Sequence, residues 1–149
     1  MAEYSANAVQ TVNPGETIVF TDSPVPCRLG LVRHRDDTGS FLLSGNIVSY
    51  PCDRSANYLV DFGANIAIPT GGTVGPISVG IAIDGTTIAS SEMIVTPAAV
   101  EEFFNVSRAI NAQIWRGCCE TVSIRNLSDQ PILVQNANVI FSAPSAAYR

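Results

Sequence analysis

The chain has 149 residues, with 13 acidic and 8 basic side chains and a formal net charge of −5. This length fits one domain with a substantial core, and a hydrophobic content of 46% excludes an extended disordered chain. All eight basic residues are arginine, which excludes lysine Schiff-base chemistry and a P-loop lysine.

Short β-strands separated by turn residues account for most of the chain. The predicted strands alternate apolar with polar or small residues, and clusters of Gly, Pro, Asn, Asp and Ser separate them. In chain order they cover residues 17–21, 28–35, 40–48, 58–68, 77–83, 86–95, 121–126 and 132–142.

The clearest local signal is a hairpin centred on Asp84-Gly85. In residues 77–83 every odd position is large and branched and every even position is small, which predicts a strand with one buried face. Asp-Gly tolerates the positive φ of a type I′ turn, so residues 86–95 are expected to return antiparallel.

The segment 97–114 is ambiguous, because residues 98–104 suit a short helical turn before a strand over 105–114. About eight short strands, with no long helical run, predict an all-β, single-domain jelly-roll sandwich with antiparallel strands. We expect one domain over 1–149, with an N-terminal arm at about 1–12 and a C-terminal tail at about 143–149.

Four cysteines, Cys27, Cys52, Cys118 and Cys119, are candidates for a metal site or a disulfide. None has C-x-x-C spacing, so zinc would need thiolates from three distant places, and we predict no metal site. Cys27 and Cys52 bracket the predicted 28–48 hairpin and are the candidate disulfide, although a cytosolic origin favours reduced thiols. Cys118 and Cys119 are expected to face different environments.

A second candidate is the charged run 33–37, which contains the only histidine, His34, together with Asp36 and Asp37. A catalytic interpretation makes His34 a general base oriented by Asp36, or makes the two carboxylates a calcium site. No Ser or Cys nucleophile motif accompanies them, and calcium needs more acidic ligands. We therefore interpret the run as a solvated hairpin tip.

Two further features have structural explanations. Residues 71–76 (GGTVGP) resemble a phosphate loop but precede a strand and contain no lysine, so we interpret them as a tight connection. Phe103, Phe104 and Trp115 are a candidate ligand platform, but core or subunit contacts are the usual role of such residues in a small β-domain.

The first twenty residues contain neither a cationic segment nor a long apolar one, so we expect a protein made in the cytoplasm without a signal peptide. The acidic balance gives no electrostatic footprint for duplex DNA or an anionic membrane. Nucleic acid and membrane are therefore not expected as partners, and no cofactor is expected.

Several segments together carry a resemblance to a known family. Residues 57–66, 77–85, 117–128 and 134–140 resemble the C-terminal jelly roll of bacterial collagen-like surface proteins, which is similar to the C1q and tumour necrosis factor fold. The whole chain also resembles small stand-alone proteins of gut Firmicutes and their phages. The resemblance implies a compact homotrimer and no catalytic residues. This chain lacks the Gly-X-Y stalk, which favours a module attached directly to a particle.

These observations lead to three hypotheses. The first is a structural virion protein, a trimeric capsid decoration protein that binds the major capsid protein or another virion surface protein. The second is a trimeric module that binds a glycan or host receptor at a fibre tip or on a bacterial or spore surface. The third, a hydrolase or lyase using Asp36, Asp37 or Asp61, is disfavoured, and we expect no enzyme activity.

Overall fold

The computed structural model describes residues 2–27, 30–35, 37–45, 55–115, 117 and 119–142. These residues form twelve β-strands and one 3-10 turn, η1. The elements are β1 (Ala2–Ala6), β2 (Gln10–Val12), β3 (Asp22–Val25), β4 (Val32–His34), β5 (Phe41–Leu43), β6 (Ser55–Ala67), β7 (Ile77–Ile83), β8 (Thr86–Thr87), η1 (Ala89–Ser91), β9 (Met93–Val95), β10 (Phe104–Trp115), β11 (Glu120–Asn126) and β12 (Ile132–Ser142).

The strands form two antiparallel sheets. Sheet A has the order β10-β6-β12-β1-β3, and β2 also pairs with β12. Sheet B has the order β4-β5-β11-β7-β8, and β9 also pairs with β7. Neighbouring strands come from distant parts of the chain, as in a jelly roll, and the predicted all-β sandwich is confirmed.

The core lies between the two sheets and consists of the inward positions of their strands. Alternation is clearest in β6, whose even-numbered residues from 56 to 66 are all buried. The largest fully buried side chains are Tyr58, Phe20, Phe41, Phe62, Phe141, Ile18, Leu43, Ile66, Ile68, Ile77, Ile81 and Ile114.

The bounds of β7 and β12 agree with the predicted strands, and β6 and β11 differ from theirs by a few residues. Asp84 and Gly85 have φ values of 50° and 82°, as a type I′ turn requires. The returning strand is interrupted, because η1 separates β8 from β9. The ambiguous segment resolves as the strand β10, preceded by a turn rather than a helix.

The expected N-terminal arm at 1–12 is instead part of sheet A. Residues 2–6 form β1, which pairs with β12 on one side and β3 on the other, and residues 10–12 form β2. Ala2, Tyr4 and Ala6 face the core. Because β1 consists mostly of small residues on both faces, its hydropathy pattern does not reveal this alternation. The expected tail at 143–149 lies outside the described residues.

The strand β7 was predicted to have one buried face, but residues 77–82 are all buried. Its small outward residues leave room for side chains that cross them. A Cβ on Gly80 would lie 2.7 Å from Leu127 Cδ1 and 3.2 Å from Thr87 Cγ2. The small even positions of β7 thus mark a covered face rather than a solvent-facing one.

Candidate interaction surfaces

The first candidate surface is the outer face of sheet A, defined here by the outward residues of β6, β10 and β12. In β6 the residues at odd positions 57, 59 and 61 are exposed, between buried neighbours. Within β6 and β10, which are both fully described, Asp61 is the only ionisable side chain on this face. A large face with almost no charge is unusual for a protein surface.

Amide and hydroxyl side chains link neighbouring strands across this face. Asn105 Nδ2 donates to Asn65 Oδ1 at 3.1 Å, and Gln113 Nε2 donates to Ser55 Oγ at 2.9 Å. The amide of Asn138 donates to the carboxylate of Glu3 on β1. These bonds hold the side chains flat against the sheet.

Apolar side chains occupy the same face. Leu59 and Ile140 are 38% and 36% exposed, and Ile140 lies opposite Asp61, two residues from Leu59. Such diagonal neighbours are within reach of each other. Trp115, at the end of β10, is 59% exposed. The outer face of sheet A therefore combines apolar area with neutral polar groups.

Strand β10 forms the edge of sheet A. It pairs with β6 along its whole length, from Phe104↔Ile66 to Trp115↔Ser55, and no described strand pairs with its other side. Twelve residues make it a long edge, and Arg108 is its only charged residue. A long edge with a single charged residue and no proline is a site for association unless another element covers it.

The second candidate surface is a groove on sheet B, which we call the arginine groove. It has a volume of about 480 Å³ and is lined by Arg33, Arg35, Thr38, Ser40, Leu42 and Thr121, together with His34. None of these residues is acidic. Arg33, Leu42 and Thr121 are register partners across β4, β5 and β11, so they share one face of the sheet.

His34 lies below this groove, not on a solvated tip. Its ring stacks on Phe41 with centroids 4.4 Å apart, and it also contacts Tyr4 and Phe20. Nε2 is 3.0 Å from the carbonyl oxygen of Thr38, whereas the buried Nδ1 has no hydrogen-bond partner. The solvated interpretation of His34 is therefore wrong, because the ring packs into the aromatic part of the core.

The turn between β4 and β5 is also docked against the body of the protein. Phe20 N donates to Thr38 O and Asp37 N donates to Phe20 O. A Cβ on Gly39 would lie 2.5 Å from Ile18 O, so only glycine permits this approach. The predicted strand over 17–21 is replaced by two isolated bridges, from Thr17 to Arg125 and from Phe20 to Thr38.

The acidic candidates do not meet in one place. Asp37 is exposed in the turn with a φ of 63°, and Asp61 lies on the outer face of sheet A. Asp36 lies outside the described residues. Within the described part of the chain, no group of three or more His, Cys, Asp or Glu side chains is placed to hold a metal ion.

The cysteines differ from the predicted pairing. Cys27 is a half-buried free thiol, so the candidate Cys27–Cys52 disulfide is not formed; Cys52 itself lies outside the described residues. Cys119 is disulfide-bonded, and its Sγ accepts a hydrogen bond from Arg33 at 3.2 Å. Cys118 also falls outside the description. The predicted 28–48 hairpin did not indicate that Cys119 lies next to Arg33.

Tyr58 connects the two sheets through its hydroxyl. The hydroxyl donates to the carbonyl oxygen of Ser44, at the end of β5, and lies 3.4 Å from that of Leu31. Burial, and to a lesser degree the nearby Cys27, raises the pKa of Tyr58 to about 12. Burial also raises the pKa of Tyr4. Both phenols act as neutral core groups.

Loops at one end of the sandwich carry exposed apolar side chains. Val74, Val100 and Phe103 are between 36% and 51% exposed. We call these three residues the apolar loop end. Gln130 holds the 71–76 loop by bonding both the N–H and the carbonyl of Thr73, which supports the interpretation of this loop as a structural connection. Separately, the described residues contain no helix long and apolar enough to span a bilayer.

Comparison with known proteins gives similarity in structure only. Neither a protein-family model nor a curated protein sequence matches the chain. The globular domain of zebrafish complement 1qA protein is 12% identical, with a TM-score of 0.57 over 93% of this chain and 94% of that chain. The Eiger TNF from S. frugiperda is 10% identical, with a TM-score of 0.65 over 95% and 90%.

A third structure, the C-terminal domain of the sugar-binding protein EclA, is 11% identical and covers 91% of this chain and 79% of that one. Its TM-score is 0.41, so it carries no argument here. The two other structures establish that this chain has a jelly-roll fold similar to those of C1q and TNF domains.

Proposed function

We propose that the protein is a non-enzymatic structural protein of a phage particle, a homotrimer that binds the assembled capsid and stabilises it. The observation that carries this proposal is the outer face of sheet A, with its almost uncharged surface and its β10 edge, whose outer side pairs with no described strand. Such a surface is suited to being buried by another protein.

A second copy of the chain is a suitable cover for this surface. An edge placed on a face is a contact between two different patches, and such contacts form a closed ring when the rotation from copy to copy divides a full turn evenly without translation. The neutral amides of Asn105, Asn111 and Gln113 tolerate burial if the partner supplies hydrogen-bond groups. The number three comes from the resemblance of the chain to trimeric jelly-roll proteins.

The apolar loop end supplies a contact for the particle. In a ring with rotational symmetry the three loop ends lie on the same side, so the trimer presents three copies of Val74, Val100 and Phe103 together. Three weak contacts to a repeating shell reinforce each other through effective concentration. A trimer that binds the assembled shell, and not its separate subunits, stabilises that shell by mass action.

The remaining features are compatible with this proposal. A net charge of −5 disfavours nucleic acid and anionic membrane as partners. The proposed location is the outer surface of the virion, after synthesis in the host cytoplasm. The proposed partner is the major capsid protein or another virion surface protein.

Gene deletion in the phage that encodes the protein tests the proposal. Particles without the protein should still form, but should lose DNA at lower temperature or after milder osmotic shock than complete particles. Adding the purified trimer back should restore resistance at a fixed, high copy number per particle. Few copies per particle, together with unchanged particle stability, would contradict the decoration role.

The arginine groove favours a second candidate function, a receptor- or glycan-binding module at a fibre tip or on a bacterial or spore surface. This alternative predicts few copies per particle and a defect in host adsorption when the gene is deleted. Measuring adsorption and thermal stability in the same deletion strain separates the two functions.

A further inference from the structure

We propose that the arginine groove binds a carboxylate-bearing saccharide, such as a uronic acid unit of an acidic polysaccharide. This inference rests on the proposed trimer only in one respect: burial of sheet A would leave sheet B, and with it the groove, facing outwards. The groove itself is formed within one chain.

Arg33, on β4, and Arg35, just after the end of β4, both line the groove. Arg33 and Arg35 flank His34, and alternate residues of an extended segment lie on the same side. The His34 ring is directed inwards, stacked on Phe41 and bonded to Thr38 O. Anchoring the middle residue fixes the backbone that carries both guanidinium groups.

Other contacts fix the walls of the groove. Arg33 donates to Sγ of the disulfide-bonded Cys119, which limits the positions its guanidinium can take. On β11 the Thr121 N–H and hydroxyl are both bonded to the carboxylate of Asp84. Asp84 is therefore engaged outside the groove, and the described residues that line the groove include no acidic one. Two arginines thus line the described part of a groove on an acidic protein.

The composition of the lining indicates the class of ligand. Planar guanidinium groups recognise carboxylates through paired hydrogen bonds. Thr38 and Ser40 line the groove beside them and place hydroxyl-bearing side chains near a bound ligand, while Leu42 is 37% exposed and offers an apolar surface. A sugar acid combines a carboxylate, hydroxyl groups and an apolar C–H face. A fully extended acidic peptide lacks the hydroxyl groups.

Isothermal titration of the purified protein with polygalacturonate tests this inference, with a neutral polysaccharide and polyglutamate as comparison ligands. We expect binding to polygalacturonate that weakens with salt, and none to the neutral polymer. Arg33→Gln and Arg35→Gln should each reduce affinity about tenfold or more, as loss of a charged hydrogen-bond pair predicts. Arg125→Gln, which removes the same charge from sheet B outside the groove, should bind normally.

The double variant Arg33→Lys/Arg35→Lys tests whether the ligand is bound through the hydrogen-bond geometry of the guanidinium groups or through their charge alone. It keeps the charge but loses the planar geometry, so affinity should still fall markedly. Equal binding of polyglutamate and polygalacturonate would overturn the saccharide assignment, and so would unchanged affinity in the lysine variant. The mass of each variant is measured in parallel. A trimer that binds no polygalacturonate refutes this inference alone, whereas a monomer that binds it refutes only the proposed assembly.

Discussion

Sheets A and B maintain their structure in different ways. In sheet A, β6, β10 and β12 have 13, 12 and 11 residues, and continuous backbone pairing joins them. In sheet B the longest strands have 7 residues, and individual side chains complete the hydrogen bonding. Ser91, for example, accepts a hydrogen bond from Ile81 N where the returning strand is interrupted by η1.

Because of this difference, substitutions in sheet A and in sheet B should affect different properties of the protein. The outer face of sheet A can change without removing a core contact, so substitutions there should alter assembly and leave the monomer folded. In sheet B, a substitution at a single supporting residue such as Gly39 or His34 should lower the free energy of unfolding. The four predictions below test this contrast.

The largest effect is expected from Leu59→Arg combined with Ile140→Arg. Two buried and unpaired charges at the centre of the outer face of sheet A should prevent the proposed contact between copies. Light scattering should change from about three chain masses to one, with the far-ultraviolet circular dichroism unchanged. Leu42→Arg, at a residue of β5 on sheet B that is 37% exposed, is the matched control and should stay trimeric. A wild-type protein that is already monomeric would contradict the proposed assembly.

Gly39→Ala should have the largest effect on folding. Its Cβ would meet Thr17 and the backbone of Ile18, so the turn and the segment at 17–20 must separate. We expect a loss of about 2 to 3 kcal/mol in urea denaturation. Gly75→Ala is the control, because a Cβ there meets nothing within 4 Å. Equal stability of the two variants would show that the turn is not docked.

His34→Ala should cost about 1 to 2 kcal/mol, since it removes the stacking on Phe41 and the bond to Thr38 O. Asp37→Asn should be close to neutral, because Asp37 is exposed in the same turn and Asn also tolerates its φ of 63°. Both values come from thermal or urea unfolding. A neutral His34→Ala would restore the interpretation of a solvated tip.

The smallest effect concerns Tyr58 and alkaline pH. Its pKa is raised to about 12 in the folded protein, so between about 10 and 12 the unfolded chain loses the phenol proton first and stability falls as pH rises. Tyr58→Phe should reduce this fall, at the cost of the hydrogen bond to Ser44 O. An identical pH dependence in both proteins would show that Tyr58 does not contribute.

The sequence predicts those parts of the fold that local rules determine. The turn after β7 is predicted by the dihedral preferences of Asp84 and Gly85 alone. The alternation of residues in β6 and β12 likewise reveals their buried faces. The docking of Gly39 depends on residues 17–18, about twenty positions earlier, so no local pattern reveals it. Strand β1 has only Tyr4 as a large inward residue and gives a weak signal.

The candidate surfaces were visible only in part. The alternation of Arg33, His34 and Arg35 is present in the sequence and indicates two cations on one face, but Leu42 and Thr121 join them only through strand pairing. The β10 edge likewise depends on the order of strands in the sheet. Apart from the low charge of the outer face of sheet A and the two arginines of the groove, neither surface has a local sequence signature.

The pairing of β1 with β12 has a consequence for the newly made chain. Residues 2–6 are synthesised well before their partners on β12, residues 137–141. Until β12 is made, only the pairing of β1 with β3 is available. Because Ile140 also lies on β12, the proposed assembly surface is completed only after β12 has been synthesised. A nascent chain without β12 therefore cannot present the complete surface to a neighbouring chain.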